Sequence, residues 1–172
     1  KSYMNTELIP AWDQGVLKPL EKLDVHTRGL RHKAVSVFLI SDNNVLLQKR
    51  ALMKYHTPGL WANTCCTHPS WSEDPVDCAH RRLKEELGIE VSELVYKDKI
   101  DYKADVGNGL IENETVDVFV GSIETKDKLQ MLLNHDEVSE VKWISFETLK
   151  EEILSVPSKF TPWLRIYIQD HF

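Results

Sequence analysis

The segment that most limits how this chain can fold is a helix with both ends marked. Asp74-Pro75 opens it and Leu87-Gly88 closes it. Aspartate can cap, proline suits the first turn because no N–H partner is lost there, and glycine just past the end accepts a left-handed turn. Between these marks Val76, Ala79, Leu83 and Leu87 keep a helical period, so one face must be buried. The neighbouring sequence supplies strands to cover that face. Residues 33–41 and 45–50 flank the turn signal Ser41-Asp42-Asn43-Asn44 and read as a hairpin. Further strands are predicted at 94–104, 114–123 and 138–144, and shorter helices from Ser145 through Leu154 and from Thr161-Pro162. Mixed strands with few helices imply an α/β (α+β) sandwich, a sheet between helices. At 172 residues the chain suits one domain, 1–172, with a sizeable core.

Charge and cysteine usage narrow the function classes. With 21 basic against 27 acidic residues the net charge is −6, so no broad basic surface is expected for nucleic acid, and an anionic ligand must be met by a local group of Lys and Arg. The apolar run from Ala34 to Ile40 is far too short to span a bilayer and no signal-peptide pattern precedes it, so the expected location is the cytoplasm, away from membranes. Three cysteines, two of them adjacent, make no disulfide framework; a reducing compartment and a reactive or ligating thiol fit better.

Chemistry concentrates in Trp61-Ala-Asn-Thr-Cys-Cys-Thr-His-Pro69, which reads as extended. Side chains at i and i+2 of a strand share a face, so Cys66 and His68 look into one space while Cys65 points the other way. Glu112-Asn113-Glu114 repeats the geometry with two carboxylates. A thiol, an imidazole and two carboxylates around one cavity make a reaction centre, a metal site or both.

The long helix carries the most specific pattern. Glu73 followed by Arg81-Arg82-Leu83-Lys84-Glu85-Glu86-Leu87-Gly88-Ile89 closely resembles a Nudix box, with Thr67 in place of the opening glycine and Arg82 in place of a glutamate. That glutamate helps hold Mg²⁺ in Nudix hydrolases, and an arginine cannot ligate a cation. Taken alone, Arg81/Glu85 and Arg82/Glu86 are as readily explained as i,i+4 surface pairs.

Further motifs occur in order along the chain: Glu21-Lys22, His26, Arg28 to His32, Lys49 to Leu52, Pro58 to Asn63, Cys66 to Pro69, Tyr102, Gly109 to Glu114 and Thr161-Pro162-Trp163. With them the sequence, from roughly Leu20 to Tyr167, resembles the type I isopentenyl-diphosphate isomerases in their short bacterial form, Nudix-fold enzymes that do not hydrolyse their substrate. His26 and His32 are six apart, where seven is expected in many members.

That resemblance implies a Nudix-type α/β/α sandwich with a mixed sheet. It implies a tightly held divalent metal (Zn²⁺, Mn²⁺ or Mg²⁺) on His26, His32, His68, Glu112 and Glu114, a second Mg²⁺ on Glu86 bound with the substrate diphosphate, and phosphate contacts from Lys22, Arg50, Lys54 and Arg82. Cys66 would act on one side of the alkene, Glu114 with Tyr102 on the other, and Trp163 would set its π face against a cationic carbon. The partner would be a small allylic or homoallylic diphosphate, and the protein a monomer or weak homodimer. No flavin is expected, since no dinucleotide-binding Gly-rich turn is present. His56, His80, His135 and His171 match no ligand position and are expected to be ordinary surface or core histidines. Two other readings compete: a Nudix hydrolase of a nucleoside diphosphate derivative, disfavoured by Arg82 and by the unexplained Cys66, His68, Glu112 and Glu114, and a non-enzymatic metal-binding module, disfavoured by ligands spread over more than eighty positions.

Overall fold

A computed structural model describes residues 7–172. Their elements run β1 (Leu8–Asp13), β2 (Val16–Glu21), α1 (Lys22–Arg28), β3 (His32–Ser41), β4 (Asn44–Arg50), β5 (Trp61–Ala62), β6 (Cys65–Thr67), α2 (Pro75–Leu87), β7 (Val95–Gly107), β8 (Leu110–Ser122), β9 (Val138–Ser145), α3 (Phe146–Ser155) and α4 (Pro162–Asp170). The strands form one mixed sheet centred on β3, which runs parallel to β8 and antiparallel to β1, β4 and β6.

Alternation along β3 divides the core in two. Val35, Val37 and Leu39 pack with Ala79, Leu83 and Leu87 of α2, while Ala34 and Phe38 turn to the other face and pack with Trp163, Leu164 and Tyr167 of α4. Each fully buried leucine on α2 contributes about 2 kcal/mol of hydrophobic free energy. Both predicted ends of that helix are present, although Asp74 makes no side-chain capping bond; Gly88 closes it at φ 64°. A Cβ at Gly88 would lie 2.6 Å from the Leu132 backbone nitrogen, so the position tolerates no side chain.

Register places the chemistry. Parallel pairing sets His32 opposite Glu114, and antiparallel pairing of β7 with β8 sets Tyr102 opposite the same Glu114, so three strands contribute to one row. A second row on that face sets Cys66 opposite Ser36. At the same end of the sheet as the His32–Glu114 row, α1 is capped by Glu21, which accepts from the Asp24 and Leu23 amides, and ends at Gly29 with φ 68°. This left-handed turn, natural for glycine, sends the chain from His26 on the helix back to His32 at the start of β3.

Glu73 ties the loop before α2 to the helix. Its carboxylate accepts from Arg81 Nε at 2.7 Å, from a terminal Arg81 nitrogen at 2.8 Å and from the Ser70 amide at 2.9 Å. Arg81 holds the carboxyl below its ordinary range, so this contribution is full at neutral pH and is lost as pH falls through the lowered pKa. Glu73→Gln is expected to cost about 1–3 kcal/mol in urea unfolding at pH 7, with the gap to wild type closing on acidification. A gap that did not change with pH would show that the charge contributes nothing.

Candidate active site

Three imidazoles and two carboxylates converge where α1, β3, β6 and β8 meet. One ligand atom from each of His26, His32, His68, Glu112 and Glu114 lies within 4.8 Å of all the others, and all five residues are buried. Glu112 Oε1 is 2.8 Å from His26 Nε2 and 3.0 Å from His32 Nε2, which is also 3.2 Å from Glu114 Oε2. The six-residue spacing therefore leaves His26 beside its partner, with ring centroids 4.7 Å apart.

The outer partners say what this group needs. His26 Nδ1 donates to the Lys22 carbonyl at 2.7 Å and His32 Nδ1 to the Leu30 carbonyl at 2.8 Å. With Nδ1 carrying the proton in each neutral ring, both Nε2 lone pairs face carboxylate oxygens, an arrangement that is repulsive without positive charge between them. Protonation alone can supply that charge: burial opposes it, but Glu112 and Glu114 outweigh burial and push His32 up to about 10. A divalent cation supplies it with every ligand engaged, and carbonyl-oriented imidazoles are the usual surroundings of one. The donor set fits a metal.

Burial and the neighbouring Glu112 push Glu114 above the ordinary carboxylate range, whereas Glu112 sits well below it because its bonds to His26, His32 and His56 outweigh its burial. A cation at the cluster would draw Glu114 down as well. The Tyr102 hydroxyl donates to Glu114 Oε1 at 2.6 Å. Asn113, between the two glutamates, turns to the reverse face and donates to the Gly29 carbonyl.

The adjacent cysteines part as strand alternation requires. Cys65 enters the core beneath α2, and Cys66 lies against the α4 side. Burial pushes the Cys66 thiol up to about 12, so it is neutral; it donates to Asn63 Oδ1 at 2.8 Å and receives the Trp163 indole N–H at 2.9 Å. Thr161 caps α4 and Pro162 opens it, which sets Trp163 over this thiol.

One cavity collects these groups. Cys66, His68, Tyr102, Glu112, Glu114 and Trp163 line its interior, and Lys22, Arg50, Lys54, Arg82 and Glu86 also line it, with His26 and His32 fully buried behind. Both helical pairs exist, Arg81 with Glu85 at 3.0 Å and Arg82 with Glu86 at 2.7 Å, but Glu86 is only 4% exposed and belongs to the cavity wall. Lys22 is paired with Glu7, Lys54 with Glu137, and Arg82 with Glu85 and Glu86. Arg50 differs. It is buried, its guanidinium lies 5.3 Å from the Trp163 ring centroid, one N–H meets the His56 carbonyl at 3.2 Å, and Nε has no hydrogen-bond partner among the described residues. Among the described residues it has no carboxylate, and an unpaired buried cation is costly unless an anion is meant to meet it.

The sequence reading missed His56. This residue is buried, with Nε2 2.7 Å from Glu112 Oε2, so it belongs to the site and is not an ordinary core histidine. Tyr55 and Glu137 were missed too, and Asn63 was singled out in a motif without a role; Tyr55 brings its hydroxyl within 3.5 Å of His26 Nε2 and carries Lys22 over its ring.

The NUDIX domain family model matches residues 30–164. A protein from Deinococcus radiodurans, DR0079, superposes with a TM-score of 0.70 at 15% identity, covering 94% of this chain and 96% of its own; a MutT NUDIX hydrolase from Burkholderia pseudomallei gives 0.61 at 20% identity, covering 83% and 98%. At such identities these neighbours speak for fold alone. The chain belongs to the Nudix family. Relatives from Jannaschia sp. (strain CCS1), 56% identical over 95% of this chain and 92% of theirs, and from Dinoroseobacter shibae, 55% identical over 96% and 93%, are both named Isopentenyl-diphosphate Delta-isomerase. Within the Nudix family this chain is a member of the isopentenyl-diphosphate Delta-isomerases.

Proposed function

We propose that this chain interconverts isopentenyl diphosphate and dimethylallyl diphosphate. The observation that carries the reading is a single cavity holding a thiol, a carboxyl–phenol pair and a buried arginine without a carboxylate partner among the described residues, beside a cluster whose donors fit a cation. In the forward direction the alkene π pair takes a proton at the terminal carbon, leaving a tertiary cation at C3. Loss of a proton from C2 then returns the C–H pair as the new double bond. The acid and the base must both reach the substrate, and water must be kept from the cation.

Cys66 serves one side of the substrate, and Glu114 with Tyr102 serves the other. His26, His32, His68, Glu112 and Glu114 would hold one divalent ion, Zn²⁺, Mn²⁺ or Mg²⁺, and Glu86 would hold a second, Mg²⁺, accompanying the diphosphate. When bound, the metal at the cluster supplies positive charge that fixes the Glu114 carboxylate and tunes its acidity. Arg50 takes the diphosphate directly, while Lys22, Lys54 and Arg82 exchange their carboxylate partners for phosphate oxygens. Trp163 closes the wall with an indole face suited to a carbocation, a contact worth about 2 kcal/mol when desolvated. Incubating pure protein with Mg²⁺ and isopentenyl diphosphate is expected to yield dimethylallyl diphosphate. Release of phosphate at a comparable rate would favour the hydrolase reading instead.

Metal content gives a separate test. Purified protein is expected to carry one divalent ion per chain, and a chelator to inactivate it reversibly. Falling pH weakens retention, because protons compete for the imidazoles and carboxylates. His68→Ala should lose most of the ion; full occupancy in that variant would mean the cluster is misread.

A further inference from the structure

We propose that His56 is a positioning residue for Glu112, linking the metal cluster to the anion-binding Arg50. Arg50 and Thr57 carry the geometric argument. A terminal nitrogen of Arg50, which can only donate, lies 3.5 Å from His56 Nδ1, and the Thr57 hydroxyl lies 2.8 Å from the same nitrogen. Nδ1 is therefore the acceptor of the ring. The proton then sits on Nε2, which donates to Glu112 Oε2 at 2.7 Å. Oε1 of that carboxylate faces His26 and His32, so His56 occupies the oxygen turned away from those two imidazoles and fixes the rotation of the group.

Backbone geometry points to the same residue. Thr57 has φ 45°, a left-handed conformation that a β-branched residue adopts only under constraint, and Pro58 follows it. Strain of this kind persists where its surroundings over-determine it, commonly next to a functional group. Here it holds the Thr57 hydroxyl on His56 Nδ1. The His56 carbonyl meanwhile accepts from Arg50, so one residue touches the anion-binding cation through its backbone and the metal-binding carboxylate through its ring.

The inference rests on the cluster being a metal site, and the test separates the two. Metal retention against a graded chelator is measured for wild type and for His56→Gln, His56→Asn and His56→Leu, together with melting temperature and steady-state constants. The glutamine amide nitrogen falls near the place of Nε2 and can still reach Glu112; the asparagine amide falls near Nδ1 and cannot. Loss of an outer-shell partner costs about 10–100-fold in metal affinity. His56→Asn and His56→Leu should show that loss, with kcat falling at sub-saturating metal and KM for the diphosphate within about threefold of wild type, while His56→Gln is restored towards wild type. Equal retention in the glutamine and asparagine variants, or a lowered melting temperature as the only change, would overturn the proposal. Should His56→Leu not fold, the comparison of glutamine with asparagine still decides. Wild type without any bound ion would instead remove the metal reading itself.

Discussion

Cys66→Ala is expected to lower turnover by about 10²–10⁴-fold, the range over which a positioned acid or base contributes, while Cys65→Ala stays within about tenfold of wild type. The two positions are adjacent, so the contrast isolates facing. The Cys66 thiol lines the cavity between Asn63 and the Trp163 indole, whereas Cys65 is fully buried beneath α2 with only a long contact, 3.7 Å, to Glu86. Losing so long a contact to a carboxylate already paired with Arg82 is worth about 1 kcal/mol, mostly in stability. Cys66→Ser is informative as well. A hydroxyl keeps the bonds to Asn63 and Trp163 but is a far weaker acid than a thiol, so a rate near that of alanine would show that proton transfer, and not packing, is what the sulfur supplies. Retention of activity in Cys66→Ala would remove the thiol from the mechanism.

The legible parts of the fold were those specified by local pattern. Pro75 at the first turn and Gly88 at the end bounded α2 to within a residue, and the Ser41–Asn44 turn joined β3 to β4 as expected. The β1–β2 hairpin and α1 went unread. Pro10 and Pro19, which face each other in that hairpin, break the strand pattern, and α1 is seven mostly polar residues whose buried side is little more than Val25 and His26. Gln14 and Gly15, both with positive φ, were the one local signal of the turn. Alternation set Cys66 and His68 on one face, and Glu112 and Glu114 on another segment, without any knowledge of register. It could not show that Tyr102, Glu114 and His32 form one row, because that depends on pairing between distant strands. His56 lay beyond reach for a related reason. It falls in an irregular stretch between β4 and β5, where no period predicts direction, and its partner Glu112 is 56 positions away.

Glu114→Gln should reduce the rate by orders of magnitude, more than any single phosphate contact would, because one substitution removes a metal-facing charge and the carboxyl that Tyr102 addresses. An amide is nearly the same size, so the packing around β8 should survive and the protein should melt close to wild type. Tyr102 Oη donates to Glu114 Oε1, and the amide oxygen can still accept that bond, which confines the damage to acidity and charge. The cluster keeps His26, His32, His68 and Glu112, so metal is expected to be retained more weakly and to be restorable by excess ion. The decisive comparison is made at saturating metal. If activity returns with occupancy, Glu114 is a ligand only and the proton on that side comes from Tyr102 or elsewhere. If occupancy returns and activity does not, the carboxyl itself moves the proton. Running the variant in deuterated water distinguishes the halves of the reaction: label appearing in recovered isopentenyl diphosphate without product would mean that the substrate still reaches the Cys66 side and exchanges there. No exchange and no product with metal bound would place Glu114 at the step on which both depend.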